Sequence, residues 1–139
     1  MGKLTQATVK ILSSFQDLSL LLVRLTLAYG FFEPALKKIN NFDNIVVWFD
    51  TSLHLPFPWL NAVLATVTES LIVIFMVLGF KTRFIAIPGM VTMLVAIFLV
   101  HWNGGFSAAN NGYEIPLYYF LMLSVIATTG PGKFSISKD

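Results

Sequence analysis

Four long apolar segments limit what this chain of 139 residues can fold into. They lie at 18–36, 59–80, 84–100 and 113–129, and each approaches the ~20 apolar residues with which a helix crosses a bilayer. Hydrophobic residues make up 56% of the chain and charged residues 12%, whereas charged residues reach about 25% in soluble domains. We therefore predict an all-α fold, an integral membrane four-helix bundle, formed by one domain over residues 1–139 in the lipid bilayer.

Charge and cysteine content exclude several classes of function. The nine Lys and Arg residues and the seven acidic residues are scattered along the chain, so no basic stripe is available to follow the phosphates of a nucleic acid. Nucleic acid is therefore not expected as a partner. The chain has no cysteine, which excludes disulfides, thiolate metal sites and thiol relays. Any redox role would need a bound cofactor or a partner protein.

The basic residues outside the apolar segments predict how the bundle is oriented. Linkers on the cytoplasmic side of a membrane carry an excess of Lys and Arg. Two such residues, Lys37 and Lys38, follow the first segment. The others lie at the opposite end of the bundle and are Lys3, Lys10, Lys81, Arg83, Lys133 and Lys138. We therefore predict that the N- and C-termini are both cytoplasmic and that the first and third linkers face outwards.

Two segments outside the spans repeat apolar residues at helical spacing. The first predicts an N-terminal interfacial helix that leads into the first span. It contains Leu4, Ala7, Ile11, Phe15 and Leu18. The second predicts a short helix in the first outer linker, lying across the outer mouth of the bundle. It contains Ile39, Phe42, Val46, Phe49 and Leu53. Asn41 is available as its N-cap, and Pro58 suits the first turn of the next span.

Two ionisable residues lie inside the predicted spans. Arg24 is six residues into the first span, about 9 Å below its edge at ~1.5 Å per residue. Glu69 falls near the middle of the second span, where an ionised carboxylate is costly unless it is paired. An arginine side chain can bridge the ~6 Å between these depths, so we predict that Arg24 and Glu69 form an intramembrane polar pair. Such a pair either only holds the two helices together or also carries protons.

A second group of polar residues comes from the outer ends of three helices. Glu33 closes the first span, His101 ends the third and Glu114 opens the fourth. Lys37 is one turn beyond Glu33 and can pair with it, and Tyr118 lies one turn after Glu114. We predict that these five residues line a substrate-binding pocket at the outer face. In the alternative, each of them caps a helix or meets interfacial water independently.

Pro34 adds a reason to expect a site beside Glu33. It cannot donate the backbone hydrogen bond to Gly30, so the first helix is expected to bend and to leave a carbonyl free. One histidine and two carboxylates could bind a metal or relay protons, but their spacing matches no compact metal-binding motif. We therefore predict no metal site. The pattern identifies no catalytic residue.

The order of these polar residues along the chain resembles that of the DoxX family. The shared features are an Arg in the first span with a Lys just past it, the Glu in the second span, Gly-x-x-x-Arg at 79–83, a His ending the third span, Gly-Tyr-Glu at 112–114 and Gly-Pro-Gly-Lys-Phe-Ser at 130–135. The resemblance covers the chain from residue 18 to residue 136. One departure is at Glu33 and Pro34, where many members carry His-Gly, so a function tied to that histidine is not implied here.

The resemblance implies a small bacterial inner-membrane protein that works in a membrane-associated redox system. A related family supplies the small subunit of thiosulfate:quinone oxidoreductase, and other similar proteins accompany superoxide dismutase and a sulfurtransferase. On this basis we expect a membrane subunit that handles a quinone-like or small redox substrate, with a quinone as the candidate cofactor and with partner proteins or further copies of the chain. The alternative is a non-catalytic membrane scaffold or small-solute conduit that docks partner proteins.

Overall fold

The structure is a computed structural model that describes residues 2–137 and 139, and every regular element in these residues is helical. The α-helices are α1 Lys3–Ser13, α2 Gln16–Asn40, α3 Phe42–Thr51, α4 Pro58–Leu78, α5 Thr82–Val95 and α6 Glu114–Thr129. A π-helical turn, Ala96–Val100, continues α5, and the 3₁₀ turns Trp102–Gly104 and Ala108–Asn110 follow in the linker to α6. The predicted all-α class is confirmed. Lys138, one of the residues used to predict orientation, lies outside the described residues.

Within the described part of the chain, three helical segments are long and apolar enough to cross a membrane. They are Lys3–Asn40, Pro58–Leu78 and Thr82–Val100. The α6 helix is apolar but has only 16 residues, and at ~1.5 Å per residue it measures about 24 Å against a hydrocarbon thickness of about 30 Å. The chain is thus a multi-pass membrane protein. The fourth crossing, for which α6 is the candidate, stays a prediction.

Helices α2, α4, α5 and α6 pack around a shared apolar core. The α2 helix packs against α4, α4 against α5, and α5 against α6, which also contacts α2. The centre contains the fully buried side chains of Leu27, Ile72, Met76, Leu123 and Ile126. The outer surface of these helices is also apolar, and side chains such as Ile74 and Ile87 are more than half exposed. Apolar surface of that extent is rare on soluble monomers, whereas a membrane protein places it against lipid.

Other sequence predictions can be compared with the helix bounds. The α3 helix is the short helix predicted in the first linker, and α4 begins at Pro58 as predicted. Asn41 occupies the N-cap position of α3 as predicted, but its side chain makes no capping hydrogen bond and its amide instead donates to the carbonyl of Lys37, 3.2 Å away. The α1 helix exists and none of its residues is buried. Its place at the membrane interface stays a prediction.

The two ends of the bundle carry different segments of the chain. We call the end with α3 and the linker 101–113 the loop end, and the opposite end the terminal end. At the terminal end, residues 132–137 fold back across the helices. The backbone N–H of Ile136 donates to the carbonyl of Leu78, 3.1 Å away, and the backbone N–H of Lys133 donates to the carboxylate of Asp17, 2.9 Å away. This closing segment therefore joins the start of α2 to the end of α4.

Arg24 lies at the terminal end, and its predicted pairing with Glu69 is wrong. The guanidinium group is fully buried and donates to the carbonyl of Phe134. It packs against Gly79, where a Cβ atom would collide with its Nη1. Gly79 is ten residues past Glu69 on the chain, which is about 15 Å along α4. The depths of Arg24 and Glu69 differ by only ~6 Å when they are counted from the edges of the predicted spans. The register of α2 against α4 instead puts Arg24 beside the end of α4.

Candidate functional site

A largely buried ion pair joins α2 to α4 near the loop end. Lys38 Nζ lies 2.9 Å from Glu69 Oε2, and the two side chains are 17% and 5% exposed. Lys38 belongs to the last turn of α2. Helical side chains tilt toward the N-terminus of their helix, which directs Lys38 back toward Glu69 in the middle of α4. Each charge compensates the other, since either one alone would be costly in an apolar environment.

The ion pair lies at the wall of a cavity of about 410 Å³ between α4 and α5, which we call the lateral cavity. The α3 helix covers this cavity with the side chains of Trp48 and Phe49. The facing sides of α4 and α5 complete it with Asn61, Leu64, Ala65, Thr68, Pro88, Val91, Thr92 and Val95. The lining is largely apolar, and its ionisable residues are Lys38, Glu69 and His101.

A second cavity of about 320 Å³, which we call the inner cavity, lies between the helices of the bundle. Glu69 lines it as well, together with Gly30 and Pro34 of α2 and Tyr119 of α6, and the linker 101–113 closes it at the loop end. Tyr119 packs tightly, because a Cβ atom at Gly30 would collide with its hydroxyl group. Pro34 has no N–H to donate to the carbonyl of Gly30. The inner cavity therefore borders α2 at the point where this helix lacks one of its backbone hydrogen bonds.

Three residues line both cavities: Glu69, Ala96 and His101. Ala96 begins the π-helical turn and His101 follows it, and the backbone N–H of His101 donates to the carbonyl of Ala96, 3.0 Å away. A π-helical turn accommodates one residue more than an α-helical turn and often occurs at functional sites. It shifts His101 relative to a regular continuation of α5. Glu69 and His101 thus form an ionisable wall shared by the two cavities.

The hydrogen bond of His101 defines its tautomer. Its Nδ1 atom lies 3.1 Å from the carbonyl oxygen of Asn111 in the linker. A carbonyl group only accepts, so Nδ1 carries the proton and donates it. In the neutral ring Nε2 then keeps a lone pair and can accept a proton. His101 can therefore act as a proton acceptor at the shared wall.

The other residues of the predicted outer pocket also lie at the loop end, but none of them lines either cavity. Glu33 and Lys37 form the pair that their spacing predicts, with Oε1 and Nζ 3.6 Å apart and both side chains largely exposed. Glu114 accepts from a backbone N–H of the linker and from the hydroxyl of Tyr118, 3.1 Å away. Of the five predicted residues, the structure brings only His101 to a cavity. A substrate-binding role for the other four stays a prediction.

Lys38 is the site residue that the sequence reasoning missed. It lies two residues beyond the predicted end of the first span, so it was used only to predict the orientation of the bundle. The α2 helix instead continues to Asn40 without interruption at Pro34. The signal that could have identified Lys38 is chemical, since a carboxylate in the middle of a span needs a cation, and a lysine side chain can extend several ångströms along its helix.

Comparisons with known proteins give the chain a family. The sequence model of the DoxX family matches residues 19–102, which is more than half of the chain. The chain belongs to the DoxX family. It is similar to an uncharacterized protein of Haemophilus influenzae, with 33% identity over 125 residues that cover 85% of this chain and 80% of the relative. No solved structure gives a significant match.

The DoxX match contains most of the candidate site. Residues 19–102 include Lys38, Glu69 and His101, whereas α6 and most of the linker that closes the inner cavity lie beyond the match. The ion pair and the wall shared by the two cavities are thus formed by the part of the chain that the DoxX family model recognises. Glu114 and Tyr118 lie outside it.

Proposed function

We propose that this DoxX protein is the membrane subunit of a membrane-associated redox system and binds a quinone-like molecule in the lateral cavity. One observation carries the proposal: Lys38, whose side chain is largely buried, lies at the wall of an apolar cavity between two membrane helices. Its ammonium group is a charged donor to which a carbonyl oxygen can bind. A molecule with a carbonyl-bearing ring and an apolar tail matches both parts of this lining.

The lateral cavity has the size and composition of a site for a lipid-soluble molecule. Its volume of about 410 Å³ is within the ~300–1,000 Å³ typical of ligand sites. Three of its apolar lining residues, Trp48, Leu64 and Val91, are 38%, 54% and 56% exposed. In a membrane these side chains meet lipid. A molecule dissolved in the bilayer can therefore reach the cavity without crossing water.

The proposed subunit would exchange electrons with another protein through the bound quinone. The chain has no cysteine, and therefore no thiol chemistry of its own. Its resemblance to subunits of redox assemblies supports partner proteins or further copies of the chain as the remaining components. In this role Lys38 would bind a carbonyl oxygen of the ligand, and Glu69 would hold Lys38 in place before the ligand arrives.

The proposed location is the bacterial inner membrane, with both termini in the cytoplasm. The basic residues at the terminal end support this orientation. They include Lys81 and Arg83, which lie at the junction of α4 and α5. In this orientation the loop end faces outwards, and the ion pair and both cavities lie in the outer half of the protein.

Quinone binding can be tested with the protein reconstituted in lipid nanodiscs. We expect a short-chain, fully substituted 1,4-benzoquinone to bind the wild type, and solvent extraction of the purified protein to yield a quinone detectable by mass spectrometry. Lys38→Met should weaken binding about tenfold or more, because a hydrogen bond to a charged donor contributes about 1.5–3 kcal/mol. A quinone-free extract together with no binding in nanodiscs would contradict the proposal.

The neighbouring lysine provides a matched control. Lys37 is 70% exposed and pairs with Glu33, so Lys37→Met should bind quinone like the wild type. Lys38→Met leaves Glu69 without a counter-charge and can therefore destabilise the protein. The measurement is repeated with Lys38→Met/Glu69→Gln, which buries no charge at this position. Weak binding in this folded double variant would support the role of the ammonium group, and wild-type affinity would reject it.

The second candidate function is a non-catalytic scaffold or small-solute conduit that docks partner proteins. It is favoured by the two cavities that share Glu69 and His101 near the loop end. Uptake of a small polar solute into liposomes by a protein that binds no quinone would support the conduit. That result would also reject the redox proposal.

A further inference from the structure

Lys38 and Glu69 differ in the cavities that they reach. Lys38 lines only the lateral cavity, whereas Glu69 lines the lateral and the inner cavity. A ligand in the lateral cavity can therefore bind the ammonium group from one side while the carboxylate stays accessible from the other. When the carbonyl oxygen of the ligand replaces the carboxylate at the ammonium group, Glu69 is left without a counter-charge. Its ionised form is costly in this apolar environment.

We propose that binding of a neutral carbonyl compound in the lateral cavity is coupled to uptake of one proton by Glu69 through the inner cavity. The inference rests on the proposed function, because it takes the quinone-like ligand from there and adds how its binding is controlled. Lys38 keeps its charge and donates to the carbonyl oxygen of the ligand, while Glu69 changes from a carboxylate to a carboxylic acid. No electron is transferred, and no bond of the ligand changes.

The groups around Glu69 indicate that it is the carboxylate that takes up the proton when the ligand binds. The α2 helix faces it with Lys38, the end of the π-helical turn with His101, and α6 with Tyr119. The α3 helix contributes only apolar and aromatic side chains to the lateral cavity. Arg24 is also buried, but it contacts Phe134 at the terminal end. Among the residues that line the two cavities, Glu69 is thus the one carboxylate and Lys38 the one lysine or arginine.

The inner cavity and His101 provide a route for the proton. The cavity runs from Glu69 to the linker residues Ala108 and Asn111 at the loop end. Its volume of about 320 Å³ has room for several water molecules, each of which occupies ~30 Å³ in the liquid. His101 lines the same wall and keeps a lone pair on Nε2, because Nδ1 donates to Asn111. Water and His101 can therefore conduct a proton to Glu69 without crossing the lateral cavity.

The coupling predicts a pH dependence of ligand affinity with a defined sign. The bound state holds one proton more than the free state, so raising the pH weakens binding. The Kd should increase about tenfold for each pH unit over the range in which Glu69 is ionised in the free protein and protonated in the complex. No such dependence is expected for a ligand that binds without displacing Glu69 from Lys38.

The test measures the Kd of a short-chain, fully substituted 1,4-benzoquinone in nanodiscs at a series of pH values between about pH 5 and about pH 8. A pH-indicator dye in weak buffer reports proton uptake, which should be one proton per bound quinone in the wild type. Glu69→Gln cannot ionise, so its affinity should be independent of pH and its binding should take up no proton. His101→Asn should keep the wild-type pH dependence at equilibrium and slow the uptake after rapid mixing.

The outcomes separate this inference from the proposed function. A pH dependence that persists in Glu69→Gln, or that disappears in His101→Asn, would overturn the inference. Quinone binding to the wild type with a constant Kd would overturn the coupling and leave the proposed function intact. No quinone binding at any pH would overturn both.

A second measurement does not depend on the folding of Glu69→Gln. Infrared difference spectra of the wild type with and without quinone should show the carbonyl band of a newly protonated carboxyl group, which shifts when the exchange is run in deuterated buffer. Glu33→Gln, which changes an exposed carboxylate of the same bundle end, should leave the band unchanged. Absence of the band in the quinone-bound wild type would overturn the inference.

Discussion

Lys38 and Glu69 form an ion pair between the last turn of α2 and the middle of α4, with Nζ and Oε2 2.9 Å apart. The pair holds the two helices together at a depth where an unpaired charge is costly. It also lies at the lateral cavity, and its carboxylate reaches the inner cavity. The stability of the bundle and the proposed ligand site therefore depend on the same contact, and substitutions can measure the two contributions separately.

Removing one charge of this pair should cost more stability than removing both. Lys38→Met and Glu69→Leu each leave a buried charge without its partner, and we expect each to lower the free energy of unfolding by about 3–5 kcal/mol. Lys38→Met/Glu69→Leu buries no charge at this position, so its loss should be smaller than that of either single variant. Denaturant unfolding in mixed micelles measures all three values. Additive losses would show that the two charges are not coupled.

The exposed pair on the same helix is the control for this cycle. Glu33 and Lys37 are 3.6 Å apart with side chains 79% and 70% exposed, and exposed ion pairs contribute about 0–1 kcal/mol. Lys37→Met should therefore change the free energy of unfolding by no more than this amount. A loss as large as that of Lys38→Met would indicate that both lysines at this end of α2 stabilise the bundle equally, and that the pairing of Lys38 with Glu69 has no special role.

Gly30 allows close packing of α2 against Tyr119 of α6. A Cβ atom at this position would collide with the hydroxyl group and ring of Tyr119. We expect Gly30→Ala to destabilise the bundle by about 1–3 kcal/mol, as overpacking of a core does. Gly30→Ala/Tyr119→Leu removes the collision and should recover part of this loss, which thermal unfolding can measure. Wild-type stability of Gly30→Ala would mean that α2 and α6 are not in contact at this point.

The features that were predicted correctly follow from local patterns of the sequence. The apolar segments predict helices, and the three- and four-residue spacing of apolar residues predicts α3. Pro58 marks the start of α4, because a proline in the first turn loses no helical hydrogen bond. Glu69 is identified as a buried polar residue from its position in a span. These inferences need only the chain on either side of each residue.

The features that were missed depend on how distant segments align. The partner of Glu69 is set by the register of α2 against α4, which places Lys38 at the pair and Arg24 beside Gly79. The π-helical turn that positions His101 is a local change of hydrogen bonding with no marker in the periodicity of apolar residues. Glu114 accepts from the linker backbone and from Tyr118, contacts that its place in the sequence did not specify, and its substrate-binding role stays a prediction. Sequence position gives the level of such residues in the bundle but not their contacts.

The number of membrane crossings can be tested with reporter fusions. If α6 crosses the membrane, a reporter inserted after Ser107 and a reporter at the C-terminus lie on opposite sides and should give opposite readouts. The excess of basic residues at the terminal end predicts that the C-terminal reporter is cytoplasmic. A fusion between α4 and α5, after Lys81, is the control and should match the C-terminal one. Identical readouts at Ser107 and at the C-terminus would overturn the four-span prediction.

Arg24 should control the attachment of the closing segment, residues 132–137, to the terminal end. Its guanidinium donates to the carbonyl of Phe134, and two residues further on the backbone N–H of Ile136 donates to the carbonyl of Leu78. Arg24→Met removes the first of these bonds, so the second should open more often, and hydrogen exchange at Ile136 should become at least about tenfold faster, the equivalent of about 1.4 kcal/mol. Lys10→Met, a change on the exposed helix α1, is the control for loss of a positive charge and should leave that exchange rate unchanged. Equal exchange rates in wild type and Arg24→Met would show that the segment is held by its backbone contacts alone.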